Sequence, residues 1–387
     1  MKIMRDIKGI TTPMQLFALL PFFTGDKEDM RLRTCGRLYG FVVMLGLLVS
    51  STMFCQDVLF ASQEYKLLSH SQGETEEINR TIETLFCICS YTMIAVSCVH
   101  NGSKHFRTLR EIAKIDEYLE VNGFNAKYSC RFLGTLLAIA SASVVVVAFY
   151  YIHYLSDITI SRQCILILIY SLQMIYSFMF ALYLRTILMN LTQRIEFLNQ
   201  RLDEFTKDEK NTFDKENWRE LSNLIEIFCK FRYITENMNA VTGVALLFYM
   251  GFAFYTVTNQ SYLAFSTLTT PTQLRKNYDT MGLSCAWVLA ETTTMSMICS
   301  SCDCLASEAN TTSQILARVY GKSKEFQNII DKFLTKSIKQ DVQFTAYGFF
   351  VIDNSTLFKI FSAVTTYLVI LIQFKQLEDS KLEDSAT

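Results

Sequence analysis

What this 387-residue sequence lacks narrows its chemistry before anything in it is read closely. Its four histidines, His70, His100, His105 and His153, are dispersed, so there is no His-Glu-x-x-His helix of the kind a zinc hydrolase builds. Gly321-Lys322-Ser323 has the ending of a phosphate loop, but Leu316 stands where its first glycine belongs and no strand precedes it. The twelve cysteines are scattered, mostly through apolar stretches, and give no extracellular disulfide framework. Cys299, Cys302 and Cys304 have near-metal spacing without a second half to complete a zinc site. No internal repeat, low-complexity tract or soluble catalytic domain is evident. Nothing in these patterns supports an enzyme, a resident metal, a cofactor or a nucleic-acid partner. No apolar run before Gly40 is followed by a small-residue cleavage site. A cleaved signal peptide is therefore not expected, and the first apolar span is its own insertion signal.

Charge is also scarce. Only 19% of residues are charged and 50% are apolar, with 30 Phe and 19 Tyr. That balance is too oily for a water-soluble chain of this length and too charged for one lying wholly in lipid, so a polytopic membrane protein with sizeable aqueous loops is expected. Charge-poor runs near the ~20 residues needed to cross a bilayer core fall at 38–60, 82–100, 132–155, 163–184, 238–258, 281–300 and 355–374. The expected fold is all-α with seven transmembrane helices, which puts the termini on opposite sides. The loops on one side carry 28 Lys and Arg, those on the other six, and the rich side is cytoplasmic by the positive-inside rule. The N-terminus is thus expected in the cytosol and the C-terminus outside. A seven-helix G-protein-coupled receptor has the reverse orientation, and the third span here ends in Tyr154-Leu155-Ser156-Asp157 without an Asp-Arg-Tyr box. That class is the runner-up.

The largest cytoplasmic loop carries Leu188, Leu191, Ile195, Leu198, Leu202 and Phe205 at alternating three- and four-residue spacing, the seam of a packed helix. The fourth span is expected to continue into the cytosol along it. A second series, Trp218, Leu221, Ile225 and Phe228, leads back to the fifth span, and a third, Ile315, Val319, Phe326, Ile329, Ile330 and Phe333, precedes the last. Periodicity leaves open whether these helices pack within one chain or join subunits. The expected organisation is a six-helix bundle over 1–300, a cytoplasmic anchor helix over 301–354, a last span over 355–374 and a short acidic tail over 375–387, disordered.

The last span is just long enough to cross. On a helix, positions seven apart fall within ~20° of each other, so Thr366 lies above Gln373 with Ile370 between, while Tyr367, Leu371 and Phe374 form a neighbouring stripe. One stripe can face an axis and the other a supporting helix. Around such an axis a ring of Gln373 amides would partly replace a cation's water, and Ile370 and Phe374 would close the path by dewetting. Gln373 can equally hydrogen-bond a neighbouring helix. Asp353 is either a charge at the cytoplasmic mouth or a helix cap. Lys359 is expected to snorkel away from the axis.

Glu291, beside Thr292, Thr293 and Thr294, sits in the middle of the sixth span. An intramembrane carboxylate is costly and points to function: it contacts a ligand, or it is a protonated core residue bonded to Gln173 or a threonine. Phe149, Tyr150, His153, Tyr170, Phe252, Tyr255 and Trp287 enrich the outer halves of the spans. Such rings suit a small, partly apolar ligand in a bundle crevice, or an interfacial belt. Of the Asn-x-Ser/Thr sequons, Asn79 and Asn259 face outward in this topology, close to the membrane edge.

Thr366-Tyr367, five apolar residues and Gln373-Phe374, preceded by Thr345-Ala346-Tyr347-Gly348-Phe349-Phe350 and Asp353-Asn354-Ser355, resemble the C-terminal signature of insect gustatory receptors over about thirty residues. The resemblance implies a homo- or heterotetrameric, ligand-gated, weakly selective channel for Na, K and Ca in the plasma membrane of a chemosensory neuron dendrite, gated by a small-molecule tastant and held together by cytoplasmic helix ends. It favours Thr366, Tyr367, Ile370, Gln373 and Phe374 as pore residues. The family's sugar-responsive branch usually has Glu after the Thr-Tyr pair, where this chain has Leu368. That argues against the sugar branch and leaves a bitter or aversive compound, a contact pheromone or a fructose-like ligand, with the first two favoured over sugars. The related odorant receptors are the alternative.

Overall fold

The computed structural model describes residues 8–17, 19, 38–49, 51–53, 74–121, 123–124, 160–207, 215–269, 274–320, 324, 327–328, 330–331 and 341–386. Its main helices are α1 (Lys8–Leu16), α2 (Leu38–Met53), α3 (Glu74–His100), α4 (Gly102–Val121), α5 (Ile160–Lys207), α6 (Lys215–Thr269), α7 (Leu274–Tyr320) and α8 (Asn354–Ala386). An isolated antiparallel bridge, Thr345 to Val351, is the β-structure among the described residues. The third expected span lies outside them.

Helix length decides the architecture. α5, α6 and α7 have 48, 55 and 47 residues. At 1.5 Å per residue each is ~70 Å or longer, more than twice the ~30 Å apolar core of a bilayer, so each projects well beyond it. The projecting parts pack through the series read from the sequence: Leu188, Leu191, Ile195, Leu198 and Leu202 on α5, Leu221, Ile225 and Phe228 on α6, and Ile315 on α7 are all buried. That stripe is consumed inside one chain, so a subunit contact at this level has to use other residues.

Polar ties fix the same region. Arg194, wholly buried, donates through Nε and Nη2 to the two oxygens of Asp116 on α4, at 2.5 and 2.7 Å, and through Nη1 to the Asn190 carbonyl. Asn199 on α5 donates to the backbone oxygen and carboxylate of Glu308 on α7, both at 3.0 Å, and accepts from Thr312. His105 on α4 is buried with Nδ1 3.0 Å from the Tyr183 hydroxyl. Burial, assisted by the Lys104 charge, lowers its pKa to about 4 and keeps it neutral.

Several expectations change. Among the described residues, four helices are long and apolar enough to cross a membrane: Thr81–His100, Ile167–Glu204, Arg219–Thr267 and Asn354–Leu377. The sixth span does not reach that measure, because Glu291, three threonines, Ser284, Ser296 and Ser300 dilute it. Nor does it stop near 300: α7 runs unbroken to Tyr320, so residues 301–320 extend the span instead of opening a separate anchor helix. The segment from 375, expected to be disordered, continues α8 to Ala386. Lys375, Gln376, Leu377 and Glu378 are good helix formers with no Gly or Pro to stop them, and the Lys375 ammonium donates to the Ser266 carbonyl (3.3 Å) and hydroxyl on α6.

Candidate functional site

The sixth-span carboxylate is reached from α6. Glu291 is 2% exposed and accepts a hydrogen bond from the Tyr249 hydroxyl at 3.2 Å. The expected partner Gln173 lies elsewhere, donating to Ser90 at 3.2 Å and to Ser177 at 2.7 Å. One turn before Glu291, Trp287 meets Tyr170 of α5 edge-to-face, centroids 5.8 Å apart at 87°, and the Tyr170 hydroxyl lies 3.1 Å from Thr84 Oγ1 on α3. Side chains at i and i+4 share a helix face, so one face of α7 offers a carboxylate and an indole to the interior shared by α3, α5 and α6.

A second carboxylate stands next to Thr84. Glu83 is as buried as Glu291 and accepts from Asn259 Nδ2 at 2.6 Å and from Gln260 Nε2 at 3.1 Å. Sequence reasoning did not single it out: it lies at the edge of the expected second span, at 82–100, where sequence alone does not tell a buried carboxylate from an interfacial one. Tyr255, one turn from Asn259, donates to the Asn79 carbonyl and to its side-chain oxygen, both at 3.3 Å, and stacks on Phe86. Phe252 is fully buried in the core. Tyr150 and His153 lie outside the described residues, so the structure brings together Tyr170, Trp287, Glu291 and Tyr249, with Tyr255 beside Glu83.

The interior also keeps unused polar atoms. Trp287 Nε1, Asn79 Nδ2 and Gln173 Oε1 are buried without a hydrogen-bond partner among the described residues. A buried group in that state costs ~1–3 kcal/mol. Such atoms are available to a hydroxyl, amine or carbonyl of a small molecule that reaches them. The two sequons expected to face outward are buried here: the Asn79 side-chain oxygen accepts from Tyr255, and the Asn259 amide donates to Glu83.

The last helix contrasts with this interior. Leu357, Ile360 and Val364 lean on the bundle, and the Tyr367 ring meets Phe254 of α6 edge-to-face at 5.7 Å. That contact gives Tyr367 a supporting role against α6. Thr366, Ile370 and Gln373 lie exposed on the neighbouring stripe, and Phe374, on the stripe of Tyr367, is exposed too, as more than half of Tyr367 itself is. Asp353 accepts from the Thr356 backbone N–H at 2.7 Å and from the Ser355 hydroxyl at 2.9 Å, as a helix cap does. Partial burial would raise its pKa, but these hydrogen bonds and the nearby Lys359 charge hold it below the usual carboxylate value. Lys359 is exposed. Cys299 and Cys302 are buried and Cys304 exposed, and among the described residues no cluster suited to a metal occurs.

Long membrane-length helices around a polar and aromatic interior, with one terminal helix left uncovered, define a helical membrane protein. The family model described as 7tm Chemosensory receptor matches residues 7–378, and the chain belongs to that family. It is 66% identical to Gustatory receptor 68a of Drosophila melanogaster, over 99% of both chains. It is 37% identical to Gustatory and pheromone receptor 32a of the same species, over 99% of this chain and 87% of that one. Its relatives are receptors and not enzymes. The fold is similar to the olfactory receptor OR5 of Machilis hrabei solved in complex with eugenol, with a TM-score of 0.65 at 13% identity, covering 95% of this chain and 97% of that one.

Proposed function

We propose that this chain is a subunit of a ligand-gated, weakly selective cation channel, a homo- or heterotetramer of gustatory receptors in the plasma membrane of chemosensory neuron dendrites. The observation that carries this reading is the last helix: its membrane-length stretch is only 6% buried, and the stripe of Thr366, Ile370 and Gln373, with Phe374 beside it, is exposed. A polar and apolar stripe left bare by its own bundle suits an axis shared with other copies. The N-terminus is cytoplasmic and the C-terminus outside.

A tastant entering the interior around Glu291, Trp287 and Tyr170 favours the state in which the last helices spread, wetting the path past Ile370 and Gln373 for Na, K or Ca. A ligand that bound both states equally would shift nothing. Leu368 in place of glutamate, and a relative whose name includes pheromone reception, favour a contact pheromone or a bitter, aversive compound over sugars.

The test is current recorded from excised patches without GTP, with bitter compounds, cuticular hydrocarbons and sugars applied to the outer face, from cells expressing this chain alone and with other gustatory receptors. A ligand-gated cation current is expected. A response that requires GTP would reject the channel reading in favour of a G-protein-coupled receptor. Gln373→Glu is expected to change relative cation permeability, and an unchanged reversal potential in a conducting variant would remove Gln373 from the pore.

A further inference from the structure

The chain enters the last helix through a hairpin, residues 344–352, closed by Ile352 N–H to Phe344 O at 2.8 Å, Ala346 N–H to Phe350 O at 2.9 Å and Phe349 N–H to Ala346 O at 3.0 Å. Tyr347 and Gly348 at its tip are both left-handed, with φ of 51° and 81°. Glycine takes that conformation freely, but tyrosine does so at a cost and keeps it only where the surroundings fix it.

Those surroundings are on α6. Asn239 Oδ1 accepts the Thr345 backbone N–H at 2.9 Å. One turn on, Gly243 lies flush against the tip: a Cβ there would stand 3.1 Å from the Tyr347 nitrogen and 3.3 Å from its Cα. α6 is itself tied to α3 at this level, since the Val241 carbonyl accepts from the Ser97 hydroxyl at 3.0 Å.

The same segment is also held by α7. Asn310 Oδ1 accepts the Val342 N–H at 3.0 Å, and the Asp303 carboxylate accepts the Asn354 amide at 2.6 Å. There is no slack between the hairpin and the helix, because the Val351 carbonyl accepts the Thr356 hydroxyl at 2.7 Å and Asp353 caps the same residue. α6 and α7 also carry Tyr249 and Glu291, joined across the interior. If one helix slides against the other, the hairpin cannot keep both sets of bonds, and its hydrogen-bonded junction with α8 passes the movement into that helix.

We propose that Asn239 and Gly243 are positioning residues for the last helix: they seat the hairpin so that relative movement of α6 and α7 reaches the inner end of α8. The consequence for gating rests on the channel reading above; the mechanical coupling rests on these contacts alone.

Hydrogen exchange on the purified full-length receptor separates the two. In Asn239→Ala and Gly243→Ala, amides 345–352 are expected to exchange about tenfold faster, the factor for one lost hydrogen bond. The deciding change is faster exchange in amides 358–366 of α8, with α3 and α5 unchanged. Asn239→Asp, which keeps the acceptor for Thr345, is expected to exchange like wild type. Loosening confined to 345–352 in Asn239→Ala would overturn the proposal, even if Gly243→Ala failed to fold. In excised patches the same alanine variants are expected to change the fraction of time open without moving the reversal potential. Coupled exchange in a chain that passes no current would leave the positioning role standing and reject the channel reading instead.

Discussion

At the scale of single residues, the tightest commitment is the buried pair Arg194 and Asp116, with side-chain exposures of 0% and 11%. Removing one partner of such a pair leaves the other charge buried, at a cost of about 3–5 kcal/mol. Asp116→Asn is therefore expected to lower the melting temperature of the detergent-solubilised receptor sharply, and Asp116→Leu combined with Arg194→Met to recover much of the loss. His105 gives a pH dependence of definite sign. Its folded pKa of about 4 lies below the ordinary value of 6.5, so between these pH values the unfolded chain binds the extra proton. The stability this residue contributes is fully present above pH 6.5 and is lost as pH falls towards 4, about 3 kcal/mol in all. Thermal melts across that window should show the slope, and His105→Phe should flatten it. The buried side chains of Asn79 and Asn259 predict an unglycosylated receptor at both outward sequons, with no mobility change on enzymatic deglycosylation.

At the scale of elements, the last helix divides its labour by face. Tyr367 against Phe254 supports it, whereas Gln373 and Ile370 remain on the uncovered side. Tyr367→Ala removes an edge-to-face pair worth about 0.5–1.5 kcal/mol beyond its buried area. It should shift the ligand dose–response while leaving the reversal potential in place, the opposite pattern to Gln373→Glu. A moved reversal potential in Tyr367→Ala would place that ring in the ion path. The extension of α8 past Phe374 was not legible as structure because a short charged tail reads as solvated chain. What holds its start is Lys375 on Ser266, a partner 109 residues away in sequence.

At the scale of the whole molecule, length sets the plan. Helices of 47 to 55 residues cannot be contained in a bilayer, so the bundle continues as a helical base on the side rich in Lys and Arg. An epitope tag at the C-terminus is expected to label on intact cells; labelling only after permeabilisation would invert the proposed orientation. The helical base buries its own seam, whereas the last helix is the membrane-length span its own bundle covers least, 6% buried among the described residues.

The sequence by itself determined the all-helical membrane class, the continuation of the fourth span along Leu188 to Leu202, and the C-terminal signature with its family. These follow from composition, period and contiguous residues, which need no partner to be read. Only the tertiary structure decided that Glu291 meets Tyr249 instead of Gln173, that Glu83 is a second buried carboxylate, and that Asn239 and Gly243 seat a hairpin more than 100 residues away. Each depends on which faces of distant helices meet, and hydrophobic period fixes the buried face of a helix without naming the helix it is buried against.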